Sequence, residues 1–226
     1  VSTRMVGGMV MTHGDDVGIV VPPRIAPVQV VVIPIWRKEK DAGPVREKAD
    51  QVAAELRAQG IRVKVDARDH MTPGAKFWEW ERKGVPFRVE NGPKDLEKGQ
   101  VVVVHRVTIG DGDRKEYLPE GQALGEMAGR LDRFQAGLLD AARARRENNS
   151  YRGVESLAGL REIMDGPGGF VYTGWSGDPA VEEMVKEATK ATIRVIPDPE
   201  FQSDDAPTKC IGGGEAKMEV AWAKAY

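Results

Sequence analysis

Apolar residues recur at two different periods along this chain, and each change of period marks an element. Residues Val28 to Ile35, VQVVVIPI, form an almost unbroken apolar run of the kind buried on both faces of a parallel sheet. From Pro44 to Gln59 the apolar positions Val45, Ala49, Val52, Ala53 and Leu56 fall at helical spacing, and Gly60 supplies the stop. Ile61 to Val65 reads as a second strand. Thr72-Pro73 offers a capping hydroxyl followed by proline at the first helical position, so a helix is expected from Pro73 to Lys83, closed by Gly84. Strands follow at Val85 to Val89, entered through Pro86, and at Val101 to His105. After a Gly110-Asp111-Gly112 turn, Lys115 to Leu118 can pair back as an edge strand. The order is that of an α/β layer fold with a mixed sheet and right-handed crossovers.

Before this unit, Ser2 can cap a helix through Thr12, and a proline-punctuated connector, Val17 to Pro27, leads out of it. Beyond it, Pro119 to Ser150 carries Leu124, Met127, Leu131, Phe134, Leu138 and Leu139 at helical spacing. Arg143, Arg145 and Arg146 suit the negative end of that helix dipole, and can also touch an RNA backbone. A smaller α/β unit closes the chain. It is expected to hold a helix Val154 to Met164, a Pro167-Gly168-Gly169 break, a strand Phe170 to Thr173 and a helix Pro179 to Lys190. A strand Thr192 to Ile196, an acidic proline-rich loop Pro197 to Lys209 and a strand Met218 to Ala223 follow. Its core is expected from Phe170, Tyr172, Trp175, Ile193, Val195 and Trp222.

Composition narrows the classes. The 226 residues are 41% hydrophobic and 30% charged, ordinary for a globular protein. The formal net charge of −2 excludes a global basic field, so any nucleic-acid contact must come from a local patch. One cysteine, Cys210, rules out an internal disulfide framework. No apolar run reaches the roughly 20 residues of a membrane span, and the start lacks a signal-peptide layout, so a soluble, cytoplasmic protein is expected.

The densest chemistry lies in Lys76 to Asp95, KFWEWERKGVPFRVENGPKD, where a helix, a helix stop, a buried strand and a turn at Gly92-Pro93 are expected within twenty residues. On its helix Phe77 and Glu81 stand four apart with Trp80 between them. On its strand Arg88 and Glu90 share one face while Phe87 and Val89 share the other. An aromatic plane, a carboxylate, a guanidinium and the Lys94 ammonium near one surface suit splayed, single-stranded RNA, whose bases are stacked and hydrogen-bonded on their edges. The same residues also read as core aromatics beneath a solvated charged face. The first strand ends in Ile33-Pro34-Ile35-Trp36-Arg37 with no glycine-rich loop, which argues against a dinucleotide or P-loop site. His13-Gly14-Asp15-Asp16 reads as a turn, and His105 and Arg106 as structural neighbours.

The segments VDARDHMTPGAKFWEWE, Val65 to Glu81, and KGVPFRVENGPKDL, Lys83 to Leu96, resemble the anticodon-binding domain of prolyl-tRNA synthetase of the archaeal and eukaryotic type. STRMVGGMVMTHGDDVGIVVPPRIAP, Ser2 to Pro27, resembles that family's class II motif 3, and AKAY at Ala223 to Tyr226 its usual terminus. The resemblance implies the C-terminal part of a larger enzyme. It divides the chain into the end of a catalytic domain (1–26), an anticodon-binding domain (27–120), a connecting helix (121–150) and a C-terminal domain (151–226). It implies that Arg4 contacts ATP, that Phe77 stacks an anticodon base, that Glu81 and Arg88 bond base edges, and that Lys94 meets a base or phosphate, with Lys115 joining them. Proline, ATP with Mg2+ and the tRNA for proline are the implied partners, and a homodimer through the catalytic domain is implied. The chain alone is then expected not to activate proline. A free-standing RNA-binding module is the alternative. In the family four cysteines hold a zinc ion in the C-terminal unit. Ser176, Val181, Cys210 and Gly213 stand at those positions, so zinc is expected to be absent.

Overall fold

The computed structural model of the chain describes residues 2–108 and 113–225, so the expected Gly110-Asp111-Gly112 turn lies outside the described residues. The chain forms two units, Val1–Ala142 and Arg143–Tyr226.

In the first unit, α1 (Arg4–His13) leads to β1 (Val30–Pro34), α2 (Glu39–Ala58), β2 (Val63–Val65), α3 (Pro73–Arg82), β3 (Phe87–Asn91), α4 (Pro93–Lys98), β4 (Gln100–His105) and β5 (Lys115–Pro119). Two helices follow, α5 (Glu120–Gly125) and α6 (Met127–Asn148). The sheet is five-stranded in the order β2-β1-β3-β4-β5. β1 runs parallel to β2 and β3, and β4 and β5 are added antiparallel. Because side chains alternate along a strand, each strand feeds two cores. Val30, Val32, Phe87, Val89, Val101 and Val103 meet Ala49, Val52 and Leu56 of α2 together with Leu124, Met127 and Phe134. On the opposite face Val31 and Ile33 meet Trp80, with Phe77 and Ile35 partly buried at the margin.

Several expected bounds move, for identifiable reasons. α2 starts at Glu39 with Pro44 inside it, because buried Ala42 extends the apolar stripe upstream of Val45 while Pro44 faces outward and forfeits one donor. β3 starts at Phe87 and runs to Asn91, since its register follows β1 from Val30↔Phe87 to Pro34↔Asn91. The expected glycine-proline turn opens a short helix instead: Pro93 occupies a first-turn position, and the Asp95 carboxylate accepts from the Gly92 N–H at 3.0 Å. The single helix expected over Pro119 to Ser150 is two helices that meet at Glu126, and buried residues through Leu138 belong to the core of the sheet.

α3 itself forms as its caps dictate. The Thr72 hydroxyl accepts from the Ala75 N–H at 3.3 Å, and Gly84 turns the chain back at φ +69°. The buried Asp66 carboxylate fixes it against the sheet. It takes the Trp80 Nε1–H at 2.7 Å and a two-pronged pair of bonds from Arg68 at 2.8 and 2.7 Å, while its own carbonyl accepts from buried Lys76 at 3.1 Å. Burial alone would raise this carboxyl. The hydrogen bonds from Arg68 and Trp80 outweigh it and hold the group well below the usual carboxylate range. A second anchor ties the passage after α1 to the end of β4: buried Arg106 donates to both Asp15 carboxylate oxygens at 2.7 and 2.6 Å, and to the Glu81 and Gly18 carbonyls at 2.8 and 3.1 Å. The Arg106 hydrogen bond, opposed by partial burial, draws Asp15 down to about 2.

The second unit contains β6 (Ser150–Tyr151), α7 (Leu157–Asp165), β7 (Phe170–Trp175), α8 (Pro179–Thr189), β8 (Ala191–Val195), a 3₁₀ turn (Pro199–Phe201) and β9 (Met218–Lys224). Its sheet order is β6-β7-β9-β8, with both contacts of β9 antiparallel. Trp222 is fully buried among Leu160, Met164, Val171 and Val185, and its Nε1–H reaches the Thr173 hydroxyl at 2.9 Å. Of the expected core, Trp175 and Ile193 pack against this cluster, but Phe170 is 37% and Val195 50% exposed, and Tyr172 lies under the Arg152 guanidinium at 4.4 Å. The reason is parity: on β7 the odd-numbered Val171, Thr173 and Trp175 face inward, so Phe170 and Tyr172 face out.

A Cβ at Gly84 would lie 2.4 Å from the Ile19 carbonyl oxygen, whereas Gly60, at φ +80°, has open space around it. Gly60→Ala should cost about 1 kcal/mol, the penalty of a left-handed backbone, and Gly84→Ala clearly more in urea titrations. Equal losses would mean that the Ile19 backbone yields freely. For Asp66, a depressed carboxyl contributes stability above its unfolded pKa, and that stability is lost as pH falls through the lower folded value. Denaturant stability should therefore fall on acidification below about pH 4, and Asp66→Asn should flatten that fall. Parallel pH profiles for the two proteins would remove Asp66 from this role.

Candidate nucleic-acid interface

The face of the first sheet that bears α3 is only partly covered, and what remains open is set by register. Val31 pairs with Arg88, Arg88 with Val104, and Val104 with Lys115, so Arg88 and Lys115 lie in one cross-strand row. The neighbouring row runs from Ile33 through Glu90 and Val102 to Tyr117. α3 shields the β1 end of both rows with Trp80 and Phe77, and toward β5 the face opens to solvent.

Here the Arg88 guanidinium lies over the Phe77 ring, 4.2 Å from its centroid, and donates its Nε–H to Glu90 at 2.8 Å. Glu90 is buried, 4% exposed, and also receives the Lys115 ammonium at 3.4 Å. A buried carboxylate needs such partners, and in return it fixes where both cations stand. Arg88 gives its Nε–H to Glu90, and among the described residues its Nη1 and Nη2 donors remain for an outside acceptor. Glu81, half-buried on α3, is ion-paired with Arg114. Tyr117 is 62% exposed with the Lys115 ammonium 5.6 Å from its ring, and Trp78 is 55% exposed on α3.

Of the residues expected from sequence, Phe77, Glu81, Arg88 and Lys115 meet on this face. Lys94 does not: it is exposed on α4 and lines a separate crevice with Ile35 and Trp36. Arg4 is exposed at the start of α1. Trp80 belongs to the core, and Phe77 marks the margin between core and surface. His105 and Arg106 are structural, His105 contacting Glu116 at 2.6 Å. Sequence reasoning placed Glu90 on the right face but missed its role between two cations, and it missed Tyr117, although the spacing of two from Lys115 on a strand carried that signal.

In the second unit Cys210 and Gly213 lie on one turn, Val181 packs against it, and the Ser176 hydroxyl accepts from the Asp178 N–H at 3.3 Å. Cys210 is buried, bridges to Gly174 and accepts from the Gly213 N–H at 2.8 Å. A Cβ at Gly212 would lie 2.7 Å from a Val181 methyl, so that side chain fills the turn. One sulfur and an aliphatic wall do not match a tetrahedral zinc donor set, and among the described residues no group of three or more His, Cys, Asp or Glu could hold a metal. No helix among the described residues is long and apolar enough to cross a membrane.

Comparison with known proteins agrees with both units. Residues 29–128 match the family described as "Anticodon binding domain", and residues 159–226 match "Prolyl-tRNA synthetase, C-terminal". The chain is 42% identical to proline–tRNA ligase 2 of Clostridioides difficile over 226 residues, all of this chain and 45% of the relative. It is 44% identical to the proline–tRNA ligase of Deinococcus radiodurans over 217 residues, 95% of this chain and 42% of that protein. A crystal structure of prolyl-tRNA synthetase from Cryptosporidium parvum, complexed with L-proline and AMP, superposes with a TM-score of 0.87 at 33% identity, covering 99% of this chain and 46% of that one. The chain thus spans less than half the length of these relatives. With a matching fold and whole-chain identity at this level, the chain belongs to the prolyl-tRNA synthetase family, as its C-terminal part.

Proposed function

We propose that this chain supplies anticodon recognition and the C-terminal domain to a proline–tRNA ligase, an enzyme that attaches proline to its tRNA with ATP, aided by Mg2+. The observation that carries the reading is the Arg88 guanidinium, tied to Glu90 above Phe77 with its Nη donors unspent. A guanidinium so oriented matches the paired O6 and N7 acceptors of guanine, and the carboxylate of Glu81 can accept from a base N–H. Phe77 lends a ring to stacking, and Lys115 and Lys94 bring positive charge toward phosphates. Since Glu90 already holds Arg88 and Lys115, little side-chain ordering remains to be done on binding.

Residues 1–26 are, in this reading, the end of the catalytic domain, with Arg4 directed to ATP, followed by the anticodon-binding domain over 27–120, the connecting helical segment 121–150 and the C-terminal domain 151–226. α1 supports this. It buries none of its residues, and Met5, Val6 and Met11 are 65, 57 and 66% exposed, an apolar surface suited to packing against further protein. The homodimer and the cytoplasmic setting belong to the same proposal for the whole enzyme.

The test of the reading is anticodon selectivity. Arg88→Ala should lower discrimination between stem-loops with cognate and non-cognate anticodons by about 1–3 kcal/mol, more than it lowers overall affinity. An unchanged ratio would remove Arg88 from base readout. For the C-terminal unit we propose that folding proceeds without zinc, on the burial of Trp222, Leu160 and Val185. Elemental analysis of protein purified without chelator or tag metal should find far less than one zinc per chain. Stoichiometric zinc whose removal lowers Tm would overturn this.

A further inference from the structure

The sheet order places β1 between β2 and β3, with α2 on one face and α3 on the other. A crevice opens beyond the carboxyl ends of β1 and β3, the region where open α/β sheets bind ligands. It measures about 570 Å³, enough for a nucleotide, and is bounded by Ile35 and Trp36 after β1 and by Pro93 and Lys94 at the start of α4.

Arg37, Lys38 and Lys40 line this crevice together with Lys94, and all are exposed. Elsewhere in the first unit the guanidiniums of Arg46, Arg68, Arg88, Arg106, Arg114 and Arg130 are each bound to a carboxylate. Among the described residues no ion pair involves Arg37, Lys38, Lys40 or Lys94. Of the crevice's carboxylates, Asp95 is engaged by the Gly92 N–H and the Gln100 amide, both at 3.0 Å, and among the described residues Asp41 and Glu97 form no ion pair. Unpaired cations gathered around a concave surface attract polyanions at little cost in broken bonds. The missing glycine-rich loop fits this picture: no backbone cradle enfolds a pyrophosphate here, and side-chain charge takes its place.

We propose that this crevice holds a stretch of the RNA sugar-phosphate backbone next to the bases read at Arg88, with Arg37, Lys38 and Lys40 as phosphate contacts and Trp36 as a wall for stacking. The proposal rests on the anticodon reading above. RNA is favoured over an acidic peptide by continuity: Ile35, in the crevice, belongs to the same apolar cluster as Phe77, which borders the Arg88 face. Contacts of this kind set position and affinity but carry no sequence information.

The experiment measures binding of an anticodon stem-loop RNA to the full chain by fluorescence anisotropy across a salt series. Each phosphate contact to a single strand contributes about 0.7 to the slope of log K against log salt, so Arg37→Gln/Lys38→Gln/Lys40→Gln should lose about 2 from the slope. Its cognate-to-non-cognate ratio should stay as in the parent, and Arg37→Lys/Lys38→Arg/Lys40→Arg should keep the slope. Arg88→Ala, in contrast, should change the ratio. An unchanged slope in the glutamine variant, with the parent protein still discriminating anticodons, overturns the crevice and leaves the anticodon reading standing. A parent protein that does not discriminate stem-loops at all overturns both.

Discussion

The Asp66 carboxylate is the constraint on which the candidate interface depends. A buried carboxylate is costly unless its oxygens are filled with donors, and here one of those donors comes from the helix that must be placed. Trp80 bonds it from the middle of α3, Lys76 reaches its carbonyl from one turn earlier, and Arg68 closes the remaining positions while also pairing with Glu79. With Trp80 directed inward, helical geometry leaves no freedom for Phe77 and Glu81: three positions earlier and one later, they fall at the margin of the contact and overlook β3. The backbone of Asp66 bonds to Val32 at 2.9 Å, so helix and central strand share one reference point.

The strand side of the interface follows from parity and from the mixed topology. Parallel pairing of β1 and β3 needs a crossover helix, and α3 covers the sheet only where that crossover passes. The antiparallel strands β4 and β5 extend the sheet without another helix on that face, which leaves Lys115 and Tyr117 uncovered. Arg88 and Glu90 lie where cover ends. Partly exposed Arg88 on buried Glu90 makes a charged pair that is rigid and reachable together, with side-chain exposures of 14 and 5%.

The legible parts of this structure were those encoded locally. Thr72, Pro73 and Gly84 bracket α3 because caps act within a turn, and the split of Arg88 and Glu90 from Phe87 and Val89 needs only the period of two. Roles made by distant partners were not legible. Asp66 sits 14 residues from Trp80, and Arg106 sits 91 from Asp15, and no spacing rule connects them. Two local rules also misled. Gly92-Pro93 signals a turn and a helix start equally well, and Pro44 marks a helix start only when apolar burial does not continue upstream, as Ala42 does. In the second unit, a large apolar side chain is no guide to burial at Phe170, where strand parity gives the inward place to the smaller Val171. Lys94 is the instructive case at the site itself, because closeness in sequence to Arg88 did not mean the same crevice: α4 carries it around the end of the sheet.

A net charge of −2 looks poorly suited to RNA until the cations are sorted by their partners. Arg88 and Lys115 meet one buried carboxylate, which reduces their long-range field but orients them, and orientation is what base-edge recognition requires. Among the described residues Arg37, Lys38 and Lys40 have no such partner, so they keep their field and their freedom, and those properties suit phosphates, which repeat along the strand and demand no single geometry. Each arrangement would serve poorly in the other's place. An unpaired arginine at position 88 would lose side-chain entropy on binding and discriminate less, and carboxylates paired to the crevice cations would cancel the attraction that brings a polyanion in. In the proposed reading the balance of charge over the whole domain thus matters less than the division between cations that are held and cations that are free.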